Sequence, residues 1–451
     1  MLFEAAILLS VVTLGSLVIY PIFGVALLFI TKPIVDATWE HIIVAGMPLT
    51  QIVAGLVPLV MLGHLCFPKP GQRLSQIPLY QIWTVYTLVL CAAAVAIIYN
   101  QDPRSGFSVL LRHLNGLIGF YMIQAYFRES WQIQRLLQAL IVAGIAPISM
   151  GIYQLATGTV WRGEEQQIEG IVRNIGLYHD AITIRHYALQ TILSGLLYVG
   201  LFPPRRPVVT TGLWSYVALA SVVLSKAYSK AGLLILVLWA VVWTLLRRRF
   251  MTFFVLAGIG AVVGGYLASQ YVSQVATIYG KELGFLSGTV GADRTFNGRW
   301  YIWQDKFVEW GQLGSVAKLL GSGKEALGAH NDYLQILFHA GIVGLALYLI
   351  LLASVGFLLI RNACRRADPL AVAGLMLYLA WIVDSVGLVP SAYSGYQWFV
   401  WGLIGLSLRI RQDERGDLRV IESERAGLVV TDSSCTVPRG VAGRRFPLVS
   451  E

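Results

Sequence analysis

The chain has 451 residues, 56 % of them hydrophobic and only 13 % charged, with a mean hydropathy of +0.66. Soluble domains carry roughly 25 % charge, so the composition excludes a large water-soluble domain and describes a polytopic membrane protein. The formal charge of +10 sits largely in short loops between apolar runs, where it sets topology; no nucleic-acid partner is expected.

Apolar runs long enough to cross a bilayer as helices fall at about 5–30, 42–62, 80–99, 107–127, 133–155, 187–202, 212–225, 230–247, 250–272, 333–360, 369–389 and 396–411. The expected fold is therefore an all-α transmembrane bundle of about 12 spans over residues 1–411. The start, Met1-Leu2-Phe3-Glu4, lacks a basic n-region and reads as an anchor, not a cleaved signal peptide. Pro21 is a point where the first run can break. Lys69 and Arg73, Arg128 and Arg135, Arg205 and Arg206, Arg247-Arg248-Arg249, and Arg361, Arg365 and Arg366 all follow even-numbered runs. By the positive-inside trend those loops, and both termini, are expected in the cytoplasm.

The odd junctions then face outward. Two are long, at about 156–186 and 273–332. In the second, Phe296, Trp300, Trp303, Phe307 and Trp310 recur at helical spacing, which predicts an amphipathic helix on the membrane interface or on the bundle. Residues 412–451 alternate charges with Gly and Pro and read as a disordered cytoplasmic tail. Cys66, Cys91, Cys364 and Cys435 have no metal-ligand spacing and suggest no disulfide framework.

No Asp-x-Asp, His-Glu-x-x-His or Gly-x-Ser-x-Gly motif is present. Gly321-Ser322-Gly323-Lys324 lacks the earlier Gly and the following Ser/Thr of a P-loop, and reads as a turn. The informative stretch is Ala329-His330-Asn331-Asp332-Tyr333-Leu334-Gln335, followed by Gly341-Ile342-Val343-Gly344 at the outer start of a long apolar run. Read plainly, His330 is an interfacial histidine, Asn331 a helix N-cap and the glycines a packing surface. Intramembrane polar groups at His339, Asp384, His113 and Asn115 are functional candidates by default, with bundle hydrogen bonding the alternative. Asp180 and Asp293 are either sugar contacts or solvated loop charges.

The His330-Asn331 pair followed by Gly341-x-x-Gly344, with Gly298-Arg299-Trp300, Trp303, Ser229-Lys230-Ala231-Gly232 and more weakly Arg173-Asn174-Ile175-Gly176-Leu177-Tyr178 upstream, resembles the O-antigen ligase/polymerase superfamily of integral membrane glycosyltransferases (Wzy/WaaL type). The resemblance is strongest over about 219–352. It implies a GT-C-like fold and an inverting, metal-independent transferase without a cofactor, in the bacterial inner membrane with its site facing the periplasm. The donor would be an undecaprenyl-diphosphate-linked oligosaccharide, and the acceptor a growing glycan (polymerase) or lipid A-core (ligase). Membrane lipids and a chain-length regulator are the further partners it suggests. Two positions depart from the family pattern: Lys230 stands where Arg is usual, and His339 where Glu is frequent.

The chemistry of such a reaction needs fixed cations where the diphosphate leaves. The outward cations are Arg173, Arg185, Lys226, Lys230 and Arg299, with Lys226 and Lys230 on one face if they share a helix. His330 is expected as general base on the acceptor hydroxyl, kept neutral by the positive end of the following helix. Asn331 and Asp180 are the expected positioning groups. A rival from another class is a secondary transporter or glycolipid flippase, which would place its polar groups at broken helices near the midplane.

Overall fold

A computed structural model describes residues 2–44, 46–68, 73–161, 164–247, 272–291, 298–324, 328–366 and 368–413. The run expected at 250–272 lies almost wholly outside these residues, as do Asp293, Cys435 and the tail beyond Asp413.

The helices, numbered in chain order, are α1 (Leu2–Ile19), α2 (Pro21–Asp36), α3 (Leu49–Cys66), α4 (Tyr80–Asn100), α5 (Pro103–Tyr126), α6 (Ser130–Ala143), α7 (Ile145–Thr157), α8 (Ala181–Leu201), α9 (Pro207–Lys226), α10 (Lys230–Arg247), α11 (Arg299–Gly311), α12 (Ser315–Leu320), α13 (Asp332–Arg366), α14 (Pro369–Gly387) and α15 (Ser394–Asp413). Residues 272–286 are helical as well. Among the described residues, β-structure is confined to two antiparallel hairpins, Ile42–Val44 with Met47–Pro48 and Gln167–Ile168 with Ile171–Val172. Among the described residues eight stretches are long and apolar enough to cross a membrane, so the bundle is all-α and membrane-spanning in character. The short sixth and seventh runs are the most apolar parts of α8 and α9, which are full-length helices of 21 and 20 residues. Buried Arg185, His186 and Gln190 interrupt the hydropathy of α8.

The first run is not one span. It breaks at Tyr20, and Pro21 opens α2, where a missing N–H costs nothing. The two halves fold back on each other: Thr13 Oγ1 lies 3.2 Å from Thr31 Oγ1. A Cβ on Gly24 would stand 2.3 Å from Leu17 Cα, so only glycine permits this approach. The hairpin adds a crossing. Phe3 therefore packs on His41 (centroids 4.3 Å apart), at the face where Trp39 meets His179 and Asn331 Nδ2 donates to Val386 O (3.0 Å). At the other face His64 Nε2 lies 3.1 Å from Leu17 O, and Arg409 Nη1 donates to Gln124 O (2.6 Å). The two ends of the described bundle thus lie at opposite faces, and the expectation that both termini share one side does not follow from this chain path.

The long helix α13 is also two pieces. Gly341 has φ 66° and ψ −164°, outside the helical region. Asp332 Oδ2 nonetheless lies 3.5 Å from Tyr348 Oη, sixteen residues on, and Tyr333 packs on Tyr348. Sixteen residues of straight helix would span about 24 Å. The segment Asp332–Ala340 therefore folds back along the helix that follows Gly341. The end of α12 docks into this break: Ser322 N donates to Phe338 O (2.7 Å). Cβ atoms on Gly321 and Gly341 would stand 2.0 Å from His339 O and 2.3 Å from Leu319 O. Of the two glycines expected as a packing surface, Gly341 makes a chain reversal.

Candidate functional site

The site is built at the His330 face, where α8 and α10 begin and α14 ends. A cavity of about 1040 Å³ lies there. Leu233, Leu234, Val237, Val275, Val383 and Val386 contribute to its walls, while Arg173, Arg185, Lys230 and Arg299 stand in the same lining. Val237, Val272 and Leu283, on that wall, are more than half exposed, so the groove opens sideways on the apolar surface of the bundle.

The three arginines reach this place from distant parts of the chain. Arg173 follows the second hairpin, and its Nε donates to Ala227 O (2.9 Å). Arg185 lies one turn into α8 and is fully buried, with Asp384 Oδ1 2.8 Å from Nη2, Ser229 Oγ 3.0 Å from Nη1 and His186 Nε2 2.8 Å from Nη2. Arg299 opens α11, with its guanidinium against Gly387. Burial and the neighbouring Arg185 hold the Arg299 guanidinium below the ordinary arginine range. Arg173 is brought down to about 10 by burial, with Arg185 and Arg299 adding repulsion against the pull of Asp180. Mutual repulsion among held cations is relieved by a bound anion, and Asp384 compensates Arg185 alone in this group.

His330 stands beside that cluster, although it is not part of the groove wall. Its backbone is left-handed (φ 45°), a conformation that costs a non-glycine residue about 1 kcal/mol or more. The loop is held on both sides. Trp303 Nε1 donates to Ala329 O (2.9 Å), and Ala329, Leu334, Leu337 and Phe338 pack under Trp303 and Trp310 of α11. Trp303 and Trp310 of the aromatic stripe thus pack on the bundle, against the His330 loop itself, while Trp300 and Phe307 are exposed and Phe296 lies outside the described residues. The His330 ring is exposed, yet partial burial and then the charge of Arg299 lower its pKa below 6.5. Burial first, and then the charge of Arg299, favour the neutral ring.

Asn331 and Asp180 have local roles. Asn331 Oδ1 accepts from Leu334 N (3.0 Å), which makes it the N-cap of α13. Asp180 caps α8, accepting from Thr183 N (2.6 Å) and Thr183 Oγ1 (3.2 Å). Asn331 Oδ1 and Asp180 Oδ1 are turned to the backbone, while Asp180 Oδ2 faces Thr183 Oγ1 and His179 Nε2 (3.1 Å), and both residues position helices that carry site groups.

The two lysines do not share a helix face, because α9 ends at Lys226 and α10 begins at Lys230 across a turn with Tyr228 at φ 46°. Lys226 Nζ donates to Tyr228 Oη (3.1 Å) and is not in the groove wall. Lys230 is in the wall, paired with Glu282 at 2.5 Å. The residues that sequence reasoning missed are this Glu282 and Tyr393, while Ser229, part of the pattern at 229–232, gains its role as the partner of Arg185 here. Tyr393 lies in the outer loop before α15, near Arg185, Asp180 and Arg299, and burial raises its phenol pKa. An aromatic in an outer loop was its only signal in the chain.

Of the intramembrane polar groups, Asp384 joins the site as the partner of Arg185, also accepting from Tyr396 Oη (2.8 Å). His113 and His339 lie elsewhere, with rings 6.2 Å apart, and Asn115 donates to Ala54 O and accepts from Trp398. No protein-family model matches the chain, and no curated protein matches it.

Proposed function

We propose that the protein is an integral membrane glycosyltransferase that uses a lipid-diphosphate-linked glycan at its His330 face, with polymerisation of the glycan the first reading and ligation to lipid A-core the second. The observation that carries this is the groove itself: a mostly apolar lining with exposed Val237, Val272 and Leu283, three arginines in the same lining, and a strained histidine beside Arg299. A polyprenyl chain fits the wall, and a diphosphate fits the guanidiniums, which bind phosphate oxygens in pairs. Three arginines, with Asp384 paired to Arg185 and Asp180 pulling on Arg173 among the described residues, suit a ligand that brings two or more negative charges.

The chemistry follows from these parts. The acceptor hydroxyl oxygen attacks the anomeric carbon of the donor sugar. The bond from that carbon to the diphosphate oxygen breaks, and its electron pair leaves with the phosphate. The hydroxyl proton goes to neutral His330. Arg173 and Arg299 stabilise the charge that develops on the leaving diphosphate, and Arg185, fixed by Asp384, adds to the field. Attack opposite the leaving group inverts the anomeric centre.

The groove lies at helix ends and not at the midplane of the bundle, where transporters hold substrate. The face opposite His330 carries Arg128, Arg205, Arg206, Arg365 and Arg366, which supports a cytoplasmic assignment for it and a periplasmic one for His330. Undecaprenyl diphosphate in a bacterial inner membrane is the donor carrier this arrangement suits. Reconstitution of the purified protein with such a donor tests the reading. A glycan ladder marks a polymerase, and a single transfer to lipid A-core marks a ligase. Movement of the donor across the bilayer with no new glycosidic bond overturns both.

A further inference from the structure

A second cavity, of about 310 Å³, lies on the other side of the start of α8. Its lining is richer in polar groups than that of the groove. Its lining includes Lys32, Asp36, Trp39, Gln51, His179 and Tyr393, drawn from α2, α3 and three loops of the His330 face. The charged groups are held in place. Lys32 is 2 % exposed and pairs with Asp36. Asp36 Oδ1 also accepts from Thr50 Oγ1 (2.9 Å), and its Oδ2 accepts from Tyr187 Oη (2.7 Å). A network so satisfied is preorganised and leaves donors, acceptors and ring edges for a ligand. The volume is at the lower end for ligand sites.

We infer that this polar cavity is a glycan subsite that receives the acceptor end of the sugar chain, while the groove holds the donor. The inference rests on the transferase reading above. Three observations select a sugar. The cavity combines amide and hydroxyl groups with the indole of Trp39, a surface that pairs hydrogen bonds with a flat apolar face. It sits at the His330 face, among the loops that carry Trp39, His179 and Tyr393. It also adjoins the donor site directly: His186 lines the cavity, Arg185 lines the groove, and their nitrogens are 2.8 Å apart. Tyr393 belongs to the cavity and faces Arg299 and Arg185.

The test uses the oligosaccharide released by mild acid from the lipid-diphosphate pool of cells that make the protein. Its binding to the full-length protein in nanodiscs is measured calorimetrically, beside transfer assays. Trp39→Ala and Gln51→Leu, both at the rim, are expected to weaken binding at least tenfold and to raise the acceptor KM to match, with the donor KM unchanged. Arg299→Met is expected to raise the donor KM and leave binding of the lipid-free glycan unchanged. Glycan binding that survives both rim substitutions, or that is lost in Arg299→Met, overturns the subsite, as does no binding by the wild type. Binding lost on rim substitution in a protein that forms no glycosidic bond would keep the cavity as a glycan site and overturn the transferase reading alone.

Discussion

Two groups of cations stand at the same face of the bundle, and they are built differently. The arginine side gathers Arg173, Arg185 and Arg299 from three separated segments, with Asp384 matching Arg185. The lysine side, at the turn between α9 and α10, is matched charge for dipole and charge for charge: Lys226 with Tyr228, Lys230 with Glu282. An excess of fixed positive charge is what an anion site needs, and among the described residues the arginine side, with three guanidiniums against Asp384 and the pull of Asp180, has more of it than the lysine side. The difference teaches that the sign of a loop residue says little until its counter-charge is known.

The largest effect expected on the arginine side belongs to its histidine. His330→Ala should lower kcat by about 10²–10⁴-fold, the usual range for a lost general base, with the protein still inserted and folded by circular dichroism. Transfer at the wild-type rate would remove the proposed role outright. Next is the one matched arginine. Asp384→Ala leaves a fully buried guanidinium without its partner and should cost about 3–5 kcal/mol of stability, read as a fall in Tm in detergent. The double change Asp384→Leu with Arg185→Met should recover most of that loss, because it removes both charges together. If the single change leaves Tm unmoved, the pair is not the fixed point of the arginine side.

How much of this contrast the sequence held can be seen residue by residue. The membrane class followed from composition, and His330, Arg173, Arg185 and Arg299 were visible as outward polar groups beside apolar runs. The pairings were not. Arg185 and Asp384 are 199 positions apart, and Lys230 and Glu282 are 52 apart, so no local pattern joins them. The chain reversals were hidden for another reason. Residues on both sides of Tyr20, and on both sides of Gly341, are apolar, and hydropathy measures burial in lipid without regard to direction. Only Pro21 and Gly341 mark the breaks, and each residue type is also common in unbroken membrane helices.

The pH profile sharpens the comparison, because it reads one arginine through the histidine. Neutral His330 is the active form, so activity falls as pH drops through its pKa, which lies below 6.5. Arg299 is one cause of that lowering, after partial burial. Arg299→Met should therefore move the acid limb of kcat/KM to higher pH, by part of the way back to 6.5, besides lowering kcat/KM by about 10²-fold through lost stabilisation of the leaving group. Arg173 is farther from this histidine in effect, and Arg173→Met should lower kcat/KM with the acid limb in place. An unmoved limb in Arg299→Met would separate His330 from the arginine side.

The smallest effect is expected from Lys230, and it is the one that tests the contrast itself. Lys230→Met removes a charge that Glu282 already cancels, and a partly exposed pair of this kind is worth about 1 kcal/mol or less. Donor KM should change by no more than about fivefold. Glu282→Gln works in the opposite sense: it frees the ammonium in the groove wall and should lower donor KM, with a steeper salt dependence as the new charge is screened. The two substitutions thus have opposite signs if Lys230 is a neutralised wall residue. A loss in Lys230→Met as deep as that in Arg299→Met, with no gain in Glu282→Gln, would mean that the lysine leaves its carboxylate for the diphosphate, and would move it to the arginine side.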